Sequence, residues 1–271
     1  MPELPEVETT RRGIAPYLLG TRFQKVVIRE PRLRWPVPRA LGRKLADRKI
    51  RDVGRRAKYL LLHTDGGCLL LHLGMSGSLR ILHPGVAAGA HDHADFHLSS
   101  GRLLRLRDPR RFGSIHWTVR EPGLHRLLRD LGPEPLGPDF HGAHLRRTAR
   151  GRRAAVKSFL MDSRVVAGLG NIYANESLFL AGIHPARAAG RISQARYERL
   201  ATAVKKVLRR AIRAGGTTLR DFTDSQGRPG YFRLTLRTYG RAGRPCLRCG
   251  TEIRLLHISS RATYYCPRCQ R

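Results

Sequence analysis

The stretch LGPEPLGPDFHG, residues 131–142, decides how the rest of the chain is read. Three prolines and three glycines in these residues leave no room for a regular element, because proline removes a backbone donor and glycine frees the chain. A domain boundary is expected there. Upstream, residues 23–117 read as strands. Apolar runs at 58–63 and 68–73 flank Thr64-Asp65-Gly66-Gly67, a hairpin signal, and 79–82, 94–98 and 103–106 continue the pattern. Ahead of them residues 5–19 read as a helix, with Pro5 in the first turn, Glu6 and Glu8 near the positive end, and Arg11 and Arg12 further on. Downstream the chain turns helical and basic. Leu200, Val204, Val207, Leu208 and Ala211 recur at helical spacing before Gly215-Gly216.

The 271 residues suffice for more than one core, and 41% hydrophobic residues fit a globular chain. No apolar run reaches the ~18–20 residues that span a bilayer. The acidic first residues lack the basic end and apolar stretch of a signal peptide, so a cytoplasmic protein is expected. Fifty-two Lys and Arg against 20 Asp and Glu give a formal charge of +32. Such a surface repels itself unless a polyanion neutralises it, which points to nucleic acid. An anionic membrane would call for a basic amphipathic helix with exposed Trp or Phe.

Cys246-x2-Cys249 and Cys266-x2-Cys269 have the spacing of a zinc hairpin finger. Four thiolates close the coordination sphere, so one structural Zn2+ is expected, not a catalytic one. Disulfides do not suit a signal-less basic chain. Cys68, within an apolar run, reads as a buried small residue.

Several catalytic signatures fail. Gly74-Met75-Ser76-Gly77 places Ser78 where a nucleophile elbow needs glycine. Gly168-Leu169-Gly170-Asn171 begins a dinucleotide fingerprint that Tyr173 ends. His91-Asp92-His93, with His97, does not complete a metal set and reads as a hydrogen-bonded cluster. The N-terminus remains. Removal of Met1 would free the secondary amine of Pro2. An α-amino group titrates near ~7.7–8.0, below ~10.4 for lysine, and can attack an aldehydic carbon with Glu3 beside it as acid/base. The residues alone leave this reading and a plain helix entry equally open.

Taken in order, MPELPEVET at 1–9, RRAKYLLL at 55–62, HLGMSGSLR at 72–80, DPRRFG at 108–113, GLGNIYANE at 168–176, GGTT at 215–218 and the terminal cysteines resemble the bacterial formamidopyrimidine-DNA glycosylase (8-oxoguanine DNA glycosylase) family along essentially the whole chain. The related endonuclease VIII type, which acts on oxidised pyrimidines, typically begins PEGPE where this chain has Leu4. A non-catalytic zinc-finger DNA binder has no need of Pro2, Glu3 and Lys58. The resemblance implies an α+β fold: a helix and β-sandwich domain (1–133), a helix–two-turn–helix domain (134–235) and a four-cysteine zinc-finger hairpin (236–271).

It implies Pro2 as Schiff-base nucleophile, Glu3 as acid/base, Lys58 as proton donor for β-elimination and lesion or phosphate contact, and Arg261 as donor for δ-elimination and phosphate contact. Met75, Arg110 and Phe112 would fill the space left by a flipped base, since such chemistry cannot reach a stacked one. Further DNA contacts would come from His93, Arg111, Lys157, Asn171 and Tyr239. Glu6, Glu176, Thr217 and Thr218 would line the lesion pocket. The partner implied is duplex DNA with oxidised purines or abasic sites, bound by a monomer.

Overall fold

The structure, a computed structural model, describes residues 2–215 and 236–271. They gather into two compact units, one ending at Arg129 and one beginning at Asp130 that includes the C-terminal residues.

Helix α1 (Leu4–Leu18) opens the first unit. Glu3 caps it, and Glu6 reaches back to accept the Glu3 N–H at 2.9 Å, closing a capping box that satisfies amide groups left over by the first turn. Its apolar face, including Val7, Ile14 and Leu18, is buried. The chain continues through β1 (Phe23–Ile28), a short helix α2 (Leu41–Leu45), β2 (Ile50–Arg56), β3 (Tyr59–Thr64), β4 (Gly67–His72), β5 (Ser78–Leu82), β6 (Asp92–Leu98), β7 (Leu103–Arg107) and β8 (Ser114–Thr118).

These strands make two antiparallel sheets, ordered β1-β6-β7-β5 and β2-β3-β4-β8. Alternate residues turn inward, as the two-residue strand period requires. Leu60 and Leu62, Leu69 and Leu71, Phe96 and Leu98, and Leu104 and Leu106 share one core with α1. The expected hairpin is present: Thr64 pairs with Gly67 across Asp65-Gly66. Gly67 has φ +150°, and a Cβ there would meet the Thr118 carbonyl at 2.5 Å, so β8 can pair with β4 only against glycine.

In the second unit, residues 131–141 form neither helix nor strand. Then come α3 (Gly142–Ala149), α4 (Val156–Met161), α5 (Asn171–Ala181) and α6 (Gln194–Arg213). Helix α6 is longer than its apolar periodicity alone marks out and packs against α3 and α5. Phe159, Tyr173, Phe179, Tyr197, Leu200 and Val204 are buried within this unit. A hairpin of β9 (Arg254–Ile258) and β10 (Arg261–Tyr265) lies near the end of the chain. Among the described residues no helix is long and apolar enough to cross a membrane.

One ion cluster is built into the first sheet. Asp95 on β6 receives Arg105 at 2.8 Å and Arg29 at 2.6 Å, with the Asp95 and Arg105 side chains 2% and 4% exposed. Burial alone would raise the Asp95 pKa; the two guanidinium groups outweigh it and lower the value. Asp95→Ala removes the short carboxylate contacts of Arg105 and Arg29, leaving Arg105 with Asp92 at 3.6 Å, and should destabilise the protein by roughly 1–3 kcal/mol. Equilibrium denaturation checks this, and a loss below ~1 kcal/mol would contradict the assignment.

Candidate functional site

The N-terminal residues are held, not frayed. Pro2 is buried, Glu3 is 2% exposed and Glu6 is fully buried. Glu6, expected in a lesion pocket, spends one carboxylate oxygen on the Glu3 amide. One turn along α1, Glu8 accepts from Arg11 at 2.9 Å, Arg12 at 2.8 Å and Arg55 at 3.2 Å. Burial pushes the Glu8 carboxyl up, but these cations win and hold it at about 2.

Arg55 then donates its second hand to the Ala57 carbonyl at 2.8 Å. Ala57 and Lys58 form the two-residue turn between β2 and β3, since Arg56 pairs with Tyr59. Ala57 has φ +52° and is 3% exposed, a conformation costly for a residue with a Cβ. A chain of contacts therefore runs from α1 through Glu8 and Arg55 to the backbone that presents Lys58. Beside it His72, paired with Tyr59 across the strands, is pushed down to about 4 by burial and by the charges of Lys58 and Arg34. Its neutral ring accepts the Gly74 N–H through Nδ1 at 3.0 Å.

Gly74 begins the second part of the site. It has φ +63°, and a Cβ there would lie 2.4 Å from the Gly113 nitrogen, so the 74–77 turn and the 108–113 loop meet backbone to backbone. Asp108, fully buried, joins them: it accepts from Ser76 Oγ at 2.9 Å and from the Gly113 N–H at 2.7 Å. Ser76 Oγ in turn accepts the Arg110 N–H at 3.3 Å. His93 is buried and its Nε2 meets the Asp108 carbonyl at 2.8 Å. It supports this loop through Asp108, a partner outside the His91-Asp92-His93 cluster expected from the sequence.

Outward from that knot stand Met75, 37% exposed, and Phe112, 43% exposed, with the Arg110 guanidinium 4.9 Å above the Phe112 ring. Arg111, at φ +55°, turns toward Glu30 at 3.3 Å. An exposed apolar pair with an adjacent cation suits insertion into a base stack.

The second unit gathers Lys157, Asn171 and Arg261. Asn171 opens α5 after Gly170, which places it at a positive helix end. Lys157 Nζ donates to the Ala262 carbonyl at 2.9 Å and Thr263 Oγ1 at 2.7 Å, and Asn171 Nδ2 donates to the same carbonyl at 3.1 Å. Arg261, next in sequence to that carbonyl, is exposed at the start of β10. Asn175 accepts the Tyr264 N–H at 2.8 Å, so α4 and α5 clamp the hairpin. Glu176, 5% exposed, accepts the N–H groups of Arg237, Thr238 and Tyr239 at 2.9–3.0 Å. It anchors the backbone there, and the Tyr239 ring packs on Tyr264 at 5.1 Å. Thr217 and Thr218 lie outside the described residues.

The four cysteine Sγ atoms lie within 4.8 Å of one another, with Cys249–Cys266 at 3.5 Å and Cys246–Cys269 at 4.0 Å. Zn–S bonds of ~2.3 Å in a tetrahedron put sulfurs about 3.8 Å apart, so the set fits Zn2+. The Arg248 and Cys269 amides donate to Cys246 and Cys266 sulfurs at 3.4 Å, stabilising thiolate charge. Gln270 receives the Cys266 N–H and donates to the Ile183 carbonyl, both at 2.9 Å, tying this site to the end of α5. Zinc here is structural: it fixes the hairpin that carries Arg261.

Three family models match the chain in succession: "Formamidopyrimidine-DNA glycosylase N-terminal domain" at 1–115, "Formamidopyrimidine-DNA glycosylase H2TH domain" at 131–223 and "Zinc finger found in FPG and IleRS" at 243–271. Fold and site thus define a zinc-finger DNA-repair glycosylase. The chain is 61% identical to the formamidopyrimidine-DNA glycosylase of Methylococcus capsulatus and 60% identical to that of Alkalilimnicola ehrlichii, each over the full length of both chains. It is also similar to the Lactococcus lactis Fpg solved in complex with DNA containing an abasic site (TM-score 0.91, 32% identity, all of both chains), and to the Thermus thermophilus MutM (Fpg) protein (TM-score 0.88, 38% identity, 99% and 98% of the chains). The chain belongs to the formamidopyrimidine-DNA glycosylase family.

Sequence reasoning overlooked Arg55, Asp108, Ser76 and His72. Each sits inside a quoted motif, but which motifs touch is a tertiary fact.

Two outcomes test this geometry. Arg55→Met should destabilise by roughly 1–3 kcal/mol, because Glu8 loses a buried partner, and Ala57→Gly in that background should recover about 1 kcal/mol by relieving the positive φ; denaturant titration of the single and double variants measures both. Removing zinc with a chelator, or Cys266→Ser, should lower the calorimetric transition of the second unit and leave that of the first within ~0.5 kcal/mol.

Proposed function

We propose that this chain excises oxidised purines, 8-oxoguanine and formamidopyrimidines, from duplex DNA and then cuts the strand at the abasic site. Pro2, freed by removal of Met1, attacks C1′ of the damaged nucleotide and the base leaves with the glycosidic electron pair. The Pro2 nitrogen then gives up its proton, and the C1′–O4′ bond opens, its electrons staying on O4′ as that oxygen takes a proton, so that an iminium links enzyme to sugar. Glu3 supplies acid/base assistance at the sugar. Loss of a proton from C2′ drives β-elimination of the 3′ phosphate, with Lys58 as proton donor. A following δ-elimination expels the 5′ phosphate, with Arg261 as donor.

The observation that carries this reading is the buried, capped N-terminus: a carboxylate-flanked Pro2 is held in place by α1, which is tied through Glu8 and Arg55 to the Lys58 turn. Met75, Arg110 and Phe112 occupy the space of the flipped nucleotide, with Arg110 toward the orphaned base. Arg111, His93, Lys157, Asn171 and Tyr239 complete the DNA contacts, directly or through the backbone they hold. Glu6 and Glu176 each anchor backbone within their own unit, and Thr217 and Thr218 serve as lesion contacts. The parts 1–133, 134–235 and 236–271 serve as catalytic, helical DNA-binding and zinc-finger domains of a cytoplasmic monomer. Relatives named for formamidopyrimidine, together with Leu4, favour this over the oxidised-pyrimidine reading.

Incubation with duplex DNA carrying 8-oxoguanine opposite cytosine, followed by borohydride, should yield a covalent adduct at Pro2 in processed protein. Pro2→Gly should weaken trapping about 100-fold, equivalent to roughly 2.7 kcal/mol of barrier. No adduct from correctly processed protein would sink the mechanism.

A further inference from the structure

Helix α6 carries seven cationic side chains and one acid, Glu198. Glu198 is engaged elsewhere, accepting the Gly142 N–H at 3.1 Å and Gln194 at 2.6 Å. Arg199, Thr202, Lys206, Arg209 and Arg213 are all exposed. Their spacing of three and four residues lines them up on one face. That face is turned away from Tyr197, Leu200, Val204, Leu208 and Ala211, the buried side.

The row covers 14 residue steps, about 21 Å of helix. Phosphates of one DNA strand advance about 3.4 Å each, so the row matches about six of them. Lys205 donates to the Gly137 carbonyl at 3.1 Å and floors a groove of about 450 Å³ lined also by Thr202, Lys206, Arg209 and Arg213. At the other end, burial and the nearby charges of Arg187 and Arg199 lower the pKa of Arg196. Like charges three and four residues apart destabilise a helix. A polyanion along the groove relieves that repulsion.

We propose that the outer face of α6 is a second DNA-binding surface, which grips the phosphate backbone of a DNA segment other than the one presented to Asn171, Lys157 and Arg261. The commitment to DNA rests on the glycosylase reading, since DNA is the polyanion such an enzyme meets. The cations oppose phosphates along a groove, and among the described residues no acid lies in the row. The row also lacks the exposed Trp or Phe that a membrane-binding helix uses. Two surfaces on one chain let it pass from segment to segment without full release, searching faster than dissociation allows.

The test is dissociation from a labelled, lesion-free duplex as unlabelled duplex is added. Direct transfer makes the observed rate climb with competitor concentration, whereas simple release leaves it flat. The wild-type rate should rise at least three-fold over the competitor series. Arg199→Gln, Lys206→Gln and Arg209→Gln combined should flatten it, and the charge-reversed triple Glu variant likewise, while single-turnover excision from a short 8-oxoguanine duplex stays within two-fold. A flat wild-type response, or a rising one in a folded Gln variant, overturns the proposal. So does loss of excision in step with transfer, which would make α6 part of the lesion site. Binding to phosphatidylglycerol vesicles that the Gln variant loses, with transfer unchanged, overturns it in favour of a membrane surface. Because transfer is read on undamaged DNA, a protein that transfers but never excises sinks the proposed chemistry and leaves this inference standing.

Discussion

A chain with 52 cationic side chains and 20 acids folds against its own repulsion, and the few buried carboxylates are where that repulsion is turned into structure. Glu8 gathers Arg11, Arg12 and Arg55; Asp95 gathers Arg29 and Arg105. Glu6, Asp108 and Glu176 accept backbone amides instead, at a helix start, a loop crossing and the segment 237–239. Ionised carboxylates make stronger hydrogen bonds than neutral groups, so each can fix a stretch of backbone that has no sheet or helix of its own. These anchors sit behind the expected reactive side chains. The acids hold the scaffold and leave most of the cations facing outward.

The same division of labour explains the two glycosylase units. In the first, sheet and helix form a conventional apolar core, and the loops expected to carry reactive groups are tied to it by Asp108 and Arg55. In the second, the β-hairpin is too small to bury much of itself. Zinc and the α4–α5 clamp through Lys157, Asn171 and Asn175 supply what its own core cannot. Arg261 therefore stands on a hairpin held by both, which matters for a group proposed to meet a phosphate at a fixed place.

Exposed positive charge then falls into two kinds. At Arg261 it stands on a hairpin that Lys157 and Asn171 hold by specific hydrogen bonds. Along α6 it is ordered only by helical periodicity, which suits binding that reads no sequence.

Much was legible in the residues. The break at 131–142, the 64–67 hairpin, the α1 start and the cysteine pairs are local signals with local causes: proline geometry, turn stereochemistry, helix capping and thiolate coordination. Pro2 chemistry left two readings open, and whole-chain resemblance pointed to the family. Tertiary structure alone decided that β1 pairs with β6 and β4 with β8, because strand order is set by which apolar faces meet and not by chain order. It alone brought Gly74 against Gly113 under Asp108, bound Arg55 to both Glu8 and Ala57, and turned Glu6 and Glu176 into anchors. A side chain's type and spacing fix what chemistry it can do; which groups it does it with depends on packing between segments far apart in sequence, and no local pattern encodes that.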